Sequence, residues 1–201
     1  MRGMDAIDVA TAVDPIALFH SWRAQAEATE LNDPDAVALA TATSSGVPGV
    51  RMVLMKRLDE RGFCFYTNAE SRKGLELGEN PRAAMCFHWK SLRRQVRVEG
   101  LVFELPGTDV DDYFHSRSRM SQLGAAASQQ SRPLASREVL EKRVEELAER
   151  YPGEIPRPKY WKGFCLRPER MEFWIDGVAR LHDRFLFVRL MEGWSKERLF
   201  P

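Results

Sequence analysis

Between residues 36 and 105 the chain is written in short runs of strand length, with turns between them and one short helical stretch. Ala36–Thr43, Arg51–Lys56, Phe63–Thr67, Arg82–Trp89 and Gln95–Leu105 are rich in β-branched and large apolar residues. Ser44-Ser-Gly-Val-Pro-Gly49 supplies turn residues, and Asp59-Glu-Arg-Gly62 is a hairpin signal. Glu70–Leu77 reads as the helix, closed by Gly78 and Asn80-Pro81. Four more runs end the chain: Gly163–Arg167, Glu169–Ile175, Phe185–Leu190 and Trp194–Leu199. Strands that follow strands do not build a doubly wound parallel sheet, in which a helix fills each crossover. The pattern predicts a β-rich α+β fold, an antiparallel barrel, closed or half-closed, with peripheral helices.

The helices are placed by their caps. Asp14-Pro15 reads as N-cap and first helical residue, and Ile16, Phe19, Trp22 and Ala26 follow at helical spacing. Residues 1–13 read as a flexible N-terminal arm, and 14–201 as one domain. Thr108, with Asp111 three residues on, predicts a helix that carries Tyr113, Phe114, Arg117 and Ser121. Gly124–Pro133 is small and polar and reads as a loop. Ser136 caps a helix with Val139, Leu140, Val144, Leu147 and Ala148 on one stripe.

Charge and cysteine usage exclude whole classes. Thirty Lys and Arg against 29 Asp and Glu leave a net charge of +1, without the basic excess of a nucleic-acid protein. Three scattered cysteines and four scattered histidines offer no metal-ligand spacing, and the cysteines read as small buried hydrophobes in a reducing compartment. The first eight residues carry two acids and no long apolar run, so no signal peptide is expected. No run approaches the ~20 apolar residues of a membrane span. A cytoplasmic protein is the expectation.

Against that neutral background, the cations cluster. In Arg51-Met-Val-Leu-Met-Lys56, strand alternation puts Arg51, Val53 and Met55 on one face and Met52, Leu54 and Lys56 on the other. One hairpin later, Ser71-Arg-Lys73 near a helix start offers a hydroxyl, backbone N–H groups and two cations, a set suited to a phosphate dianion. Tyr113, Arg117 and Ser121 recur every four residues; on a continuous helix they share a face able to bind a phosphate monoester, or form an exposed face with an incidental Arg. In Arg180-Leu-His-Asp-Arg184, read as a strand, Arg180, His182 and Arg184 share a face; a charged turn is the alternative. Trp174 is either a stacking platform or core. Gln129-Gln-Ser131 has groups able to read a heterocycle edge, or is plain surface loop. No catalytic triad, metal box or paired carboxylates stands out, and many anion and aromatic binders without a nucleophile point to a cofactor that carries the reaction.

The segments Arg51–Lys56, Tyr66–Lys73, Arg93–Gly100, Tyr113–Ser131 and Arg180–Phe185, with the closing Trp194…Arg198-Leu-Phe-Pro201, resemble the pyridoxine/pyridoxamine 5′-phosphate oxidases, in register from about residue 14 to the end. The resemblance implies an FMN-binding split barrel and a homodimer with FMN at the subunit interface. It implies oxidation of pyridoxine or pyridoxamine 5′-phosphate to pyridoxal 5′-phosphate, with O2 reduced to H2O2. By motif position it implies FMN contacts at Arg51, Met52, Val53, Leu54, Met55, Lys56, Tyr66, Thr67, Arg72, Lys73, Gln95, Gln130, Ser131, Trp174 and Arg184. It implies substrate contacts at Lys56, Tyr113, Arg117, Ser121, Arg180, Leu181 and His182, with Arg180 and His182 nearest the chemistry. Related oxidases of phenazine biosynthesis are similar, and a non-catalytic binder of FMN or pyridoxal phosphate is a third reading. This chain departs from the family pattern in three places. It starts close to Asp14-Pro15, so the family's N-terminal arm is expected to be short or absent. Ser118 stands where a proline is common, and Ala126 where a tryptophan is common.

Overall fold

The computed structural model describes residues 8–201. In chain order its strands are β1 (Ala36–Ala42), β2 (Pro48–Leu54), β3 (Arg57–Asp59), β4 (Gly62–Asn68), β5 (Arg82–Trp89), β6 (Arg94–Glu104), β7 (Trp161–Ile175), β8 (Asp183–Arg189) and β9 (Trp194–Leu199). The helices are α1 (Pro15–Thr29), α2 (Arg72–Glu79), α3 (Gly107–Ser116), α4 (Arg119–Ala127) and α5 (Arg137–Arg150). All the strands join one antiparallel, curled sheet in the order β2-β1-β5-β6-β7-β4-β3, with β8 on β7 and β9 on β8. This is the predicted β-rich split barrel with peripheral helices.

Strand β7 makes the split. Its first half, Trp161–Leu166, pairs with β4, and its second half, Arg170–Ile175, pairs with β8, while β6 runs beside both. The sequence reads this stretch as two strands; the structure joins them into one of 15 residues. Pro168, which cannot donate to a ladder, sits where the β6–β7 register shifts between Glu99 and Gly100. A side chain at Gly100 would lie 2.0 Å from the Arg167 carbonyl, so only glycine fits opposite this kink.

Helix α1 forms where its sequence predicts and packs its apolar face into the core. Asp14 Oδ1 accepts from the Ile16 N–H at 2.8 Å, with Pro15 in the first turn. Phe19 reaches Phe63 and Phe87 edge-to-face, each at 4.9 Å, and Trp22 meets Phe173 at 5.1 Å. Burying each such ring contributes about 1.5–3 kcal/mol. Of the expected arm, residues 1–7 lie outside the described residues; Val9 and Ala12 are buried, and Lys196 donates to the carbonyls of Val9, Ala10 and Ala12.

A second, smaller core of Cys64, Leu105, Val110, Phe114, Leu123, Ile155, Trp161 and Cys165 fastens α3 and α4 to β4 and β7. Here the cysteine expectation is corrected. Cys64 and Cys165 stand directly opposite in the β4–β7 ladder, their Cα atoms 4.1 Å apart, and form a disulfide. Pairing across 101 residues of chain leaves no trace in local spacing.

Three local expectations also change. The helix at residues 107–116 starts at Gly107, with Pro106 rather than Thr108 at its N-cap. It stops at Ser116: Arg117 is extended, and Ser118 caps a new helix by accepting from the Ser121 N–H at 3.3 Å. Tyr113, Arg117 and Ser121 are therefore not one helical face. Helix α4 then runs through Gly124-Ala-Ala-Ala127, which was expected as loop; alanine favours helix more strongly than one glycine opposes it.

Candidate active site

One open cavity of about 830 Å³ lies between β2, α2, β4 and the α3–α4 corner. It is lined by Arg51, Met52, Val53, Leu54, Lys56, Tyr66, Thr67, Arg72, Lys73, Tyr113, Arg117, Ser121, Gln130 and Ser131 among the predicted residues. Gly49, Val50, Ser118 and Trp161 also line it and were not predicted. Trp161 lies just before the run read as starting at Gly163, and its part in the site follows from the β4–β7 pairing. Met55 is 2% exposed and belongs to the core, so its side chain turns away from the cavity.

At the β2–α2 end the site is built around one buried carboxylate. Glu76 is 3% exposed and accepts from Arg51 Nη2 at 3.0 Å, from Arg72 Nε at 2.8 Å and from the Thr41 hydroxyl. Burial alone would push the Glu76 carboxyl up, but the hydrogen bonds from Thr41, Arg72 and Arg51 outweigh it and hold it below the usual carboxylate range. Ser71 caps α2, accepting from the Gly74 N–H. Lys73 is folded back beneath: its Nζ donates to Thr67 Oγ1 (3.0 Å), Ser71 Oγ (3.2 Å) and Gln130 Oε1 (2.9 Å). Burial, then the repulsion of Arg51, pulls Lys73 down to about 8. Gly49 leaves the approach open, since a Cβ there would lie 2.8 Å from Arg51 Nη2.

At the other end stands an aromatic stack. Tyr66 and Tyr113 are 4.0 Å apart and nearly parallel, Trp161 continues the stack at 5.4 Å from Tyr66, and the Arg117 guanidinium lies over Trp161 at 5.1 Å. Burial lowers the Arg117 pKa and raises that of Tyr113. Arg117 Nη1 is buried without a hydrogen-bond partner, which is costly as it stands. Ser118 and Ser121 share a 2.8 Å hydroxyl contact on the rim.

The remaining predicted residues stand apart from this cavity. Gln95, Trp174, Arg180, Leu181, His182 and Arg184 do not line it. Arg180-Leu-His182 is not a strand, because a single 3-10 turn at Val178–Arg180 precedes β8, with Ala179 and Arg180 at φ 55° and 63°. The expected common face of residues 180, 182 and 184 is therefore absent, since β8 begins only at Asp183. Arg184 pairs bidentately with Glu172, Nε–Oε1 2.9 Å and Nη2–Oε2 3.1 Å, and that hydrogen bonding raises its pKa. His182 lies 4.6 Å from the Trp174 ring, and its Nδ1 accepts from the Gly177 N–H at 3.1 Å.

The chain matches the family profile "Pyridoxamine 5′-phosphate oxidase" over residues 24–151, and "Pyridoxine 5′-phosphate oxidase C-terminal dimerisation region" over residues 161–201. It belongs to the pyridoxamine 5′-phosphate oxidase family. The pyridoxine/pyridoxamine 5′-phosphate oxidase of Gluconobacter oxydans is 56% identical over 189 residues, 94% of each chain. That of Sinorhizobium fredii is 55% identical over 197 residues, 96% of each. Among solved structures, PhzG from Burkholderia lata in complex with tetrahydrophenazine-1-carboxylic acid superposes with a TM-score of 0.91 at 33% identity, covering 98% of both chains. A pyridoxamine 5′-phosphate oxidase-related, FMN binding protein from Nostoc punctiforme shares the fold, with a TM-score of 0.75 at 17% identity over 95% of this chain and 100% of that one. No helix of the described residues is long and apolar enough to cross a membrane.

Proposed function

We infer that this protein oxidises pyridoxine 5′-phosphate or pyridoxamine 5′-phosphate to pyridoxal 5′-phosphate, with FMN as cofactor and O2 as the final acceptor. The near full-length identity to oxidases of that name carries the reading. The residues that line the cavity support it.

The β2–α2 end fits the FMN phosphate. Arg51, Arg72 and Lys73 against Glu76 leave an excess of two positive charges, matched to a phosphate monoester of up to two negative charges. Thr67, Gln130 and Ser131 border the same end and would take the flavin's polar edge. Bound FMN would supply the two-electron acceptor, with O2 as the final acceptor giving H2O2. At the stacked end, Lys56, Tyr113, Arg117 and Ser121 would hold the substrate phosphate, with Arg117 Nη1 as the donor still in need of an acceptor. Fixing the phosphate orients the pyridine ring, and orientation alone is worth several kcal/mol, up to about 7–11 in favourable systems.

Trp174, Arg180, Leu181, His182 and Arg184 all lie in the matched dimerisation region. We read the working form as a homodimer in which these residues and Gln95 of one copy face the cavity of the other. Arg180 and His182 would then orient the substrate and Arg184 the flavin. Residues 14–201 act as one FMN-binding unit in this reading, and the protein works in the cytoplasm. Sedimentation of the purified protein should give a yellow dimer; a monomer that holds FMN tightly would contradict the shared site.

The deciding assay is peroxide release with pyridoxine phosphate, pyridoxamine phosphate and a phenazine precursor side by side. The likeness to PhzG makes phenazine oxidation the second reading. Peroxide from the phenazine precursor alone would select it, and no peroxide from any of the three would leave a binder.

A further inference from the structure

Helix α3 carries Tyr113 into the cavity, yet its start lacks a side-chain cap, because Pro106 stands at the N-cap. Asp109, in the first turn, holds this end instead. Its Oδ2 accepts from Arg57 Nη2 at 2.9 Å and from Arg61 Nη1 at 2.6 Å. Asp59 closes the ring, with Oδ2 2.8 Å from Arg61 Nη2 and 2.8 Å from Arg57 Nε. The Arg57 Nε contact is close but off the N–H axis, so that atom makes no hydrogen bond. Two guanidiniums and two carboxylates thus form a neutral ring between the β3–β4 hairpin and α3. The ring spans two walls of one site. Arg57 is the chain neighbour of Lys56, and Tyr113 follows Asp109 by about one helical turn. A side opening of about 310 Å³, lined by Lys56, Arg57, Asp109 and Tyr113 among others, lies between those walls.

We propose that Asp109 is a positioning residue for the substrate phosphate: held by Arg57 and Arg61, it sets the gap between Lys56 and Tyr113. This rests on the reading that Lys56, Tyr113 and Arg117 bind that phosphate. The ring's side chains are 17–40% exposed. Partly exposed ion pairs add little to folding stability, so the ring's effect belongs in substrate affinity.

The test uses the FMN-loaded protein and pyridoxine 5′-phosphate, with kcat, KM, FMN affinity and melting temperature measured for Asp109→Asn, Asp109→Glu, Arg61→Ala and Arg117→Ala. For Asp109→Asn, KM should rise about tenfold with kcat nearly unchanged, since small displacements of a binding wall are felt strongly. FMN affinity and melting temperature should stay at wild-type values, and Asp109→Glu should restore most of the KM. Arg61→Ala combined with Asp109→Asn should be no worse than the more severe single variant, because both break one ring. Wild-type KM in Asp109→Asn, with KM raised in Arg117→Ala, overturns the clamp. Wild-type KM in Arg117→Ala overturns the phosphate reading beneath it instead. Loss of FMN and of melting temperature alongside KM would make Asp109 structural, and also overturns the proposal.

Discussion

Two cationic regions of this molecule use the same side chains differently. In the β2–α2 cavity, Arg51 and Arg72 share the one buried carboxylate of Glu76, Lys73 has only neutral hydrogen-bond partners, and a little further on Arg117 leaves a buried nitrogen without a partner. In the β7–β8 corner the pairing is internal: Arg184 and Arg97 both hold Glu172, and Arg93 holds Asp176. The first region is under-neutralised and concave, which suits it to an anion. The second is neutralised in place, so its side chains are pre-set before any ligand arrives. Pre-setting suits groups that must meet a site they do not themselves enclose, because little ordering remains to be done on contact.

The contrast breaks first at Arg117. Removing a charge-assisted hydrogen bond of about 1.5–3 kcal/mol should lower kcat/KM for pyridoxine phosphate by roughly ten- to a hundredfold in Arg117→Ala, with the fold intact by circular dichroism. Unchanged kinetics would mean that the unpartnered nitrogen recruits nothing. Next comes the division between Arg184 in β8 and the turn that precedes it. Arg184→Ala should lose FMN affinity by about tenfold in fluorescence titration. Arg180→Ala and His182→Ala should stay yellow and turn over poorly. Equal bleaching of all three variants would erase that division.

Lys73 gives a smaller and pH-dependent effect. Its folded pKa of about 8 lies below the ordinary value of 10.5. Between those values the unfolded chain binds the extra proton, so stability of the FMN-free protein should rise with pH across that window. FMN affinity should move the other way, falling by at most about tenfold per pH unit as the ammonium is lost. Chemical denaturation and fluorescence titration at several pH values check both slopes, and Lys73→Met should flatten them. Parallel slopes would remove Lys73 from the anion site. Smallest is Ser118→Ala. Loss of the α4 cap should cost about 1 kcal/mol in denaturant unfolding and raise KM only a few-fold through Ser121. A hundredfold change there would show that the rim hydroxyls, rather than Arg117, carry the phosphate.

Much of this was legible in local sequence. The Asp14-Pro15 start, the Asp59–Gly62 hairpin and the alternation of Arg51–Leu54 depend on backbone preferences and nearest neighbours, and each appears in the structure. The i, i+4, i+8 spacing of Tyr113, Arg117 and Ser121 named three residues that line one cavity, but not because they share a helix face. The cavity gathers all three because the chain breaks at Arg117–Ser118, where a serine hydroxyl captures an N–H that a continuous helix would have used. Likewise the charged run at residues 180–184 was noticed for its composition, but a left-handed pair at Ala179 and Arg180 replaced the strand.

By itself, then, the sequence determined the antiparallel β-rich class, the first helix and its cap, and the list of cations, because periodicity, turn chemistry and residue type act over a few neighbours. Only the tertiary structure decided that Trp161 joins the Tyr66–Tyr113 stack, that Cys64 meets Cys165, that Met55 turns into the core, and that Glu76 lies between two arginines. Each of these depends on strand register or helix placement across tens of residues. Register is set by the burial of a whole face at once, and no local window contains that sum.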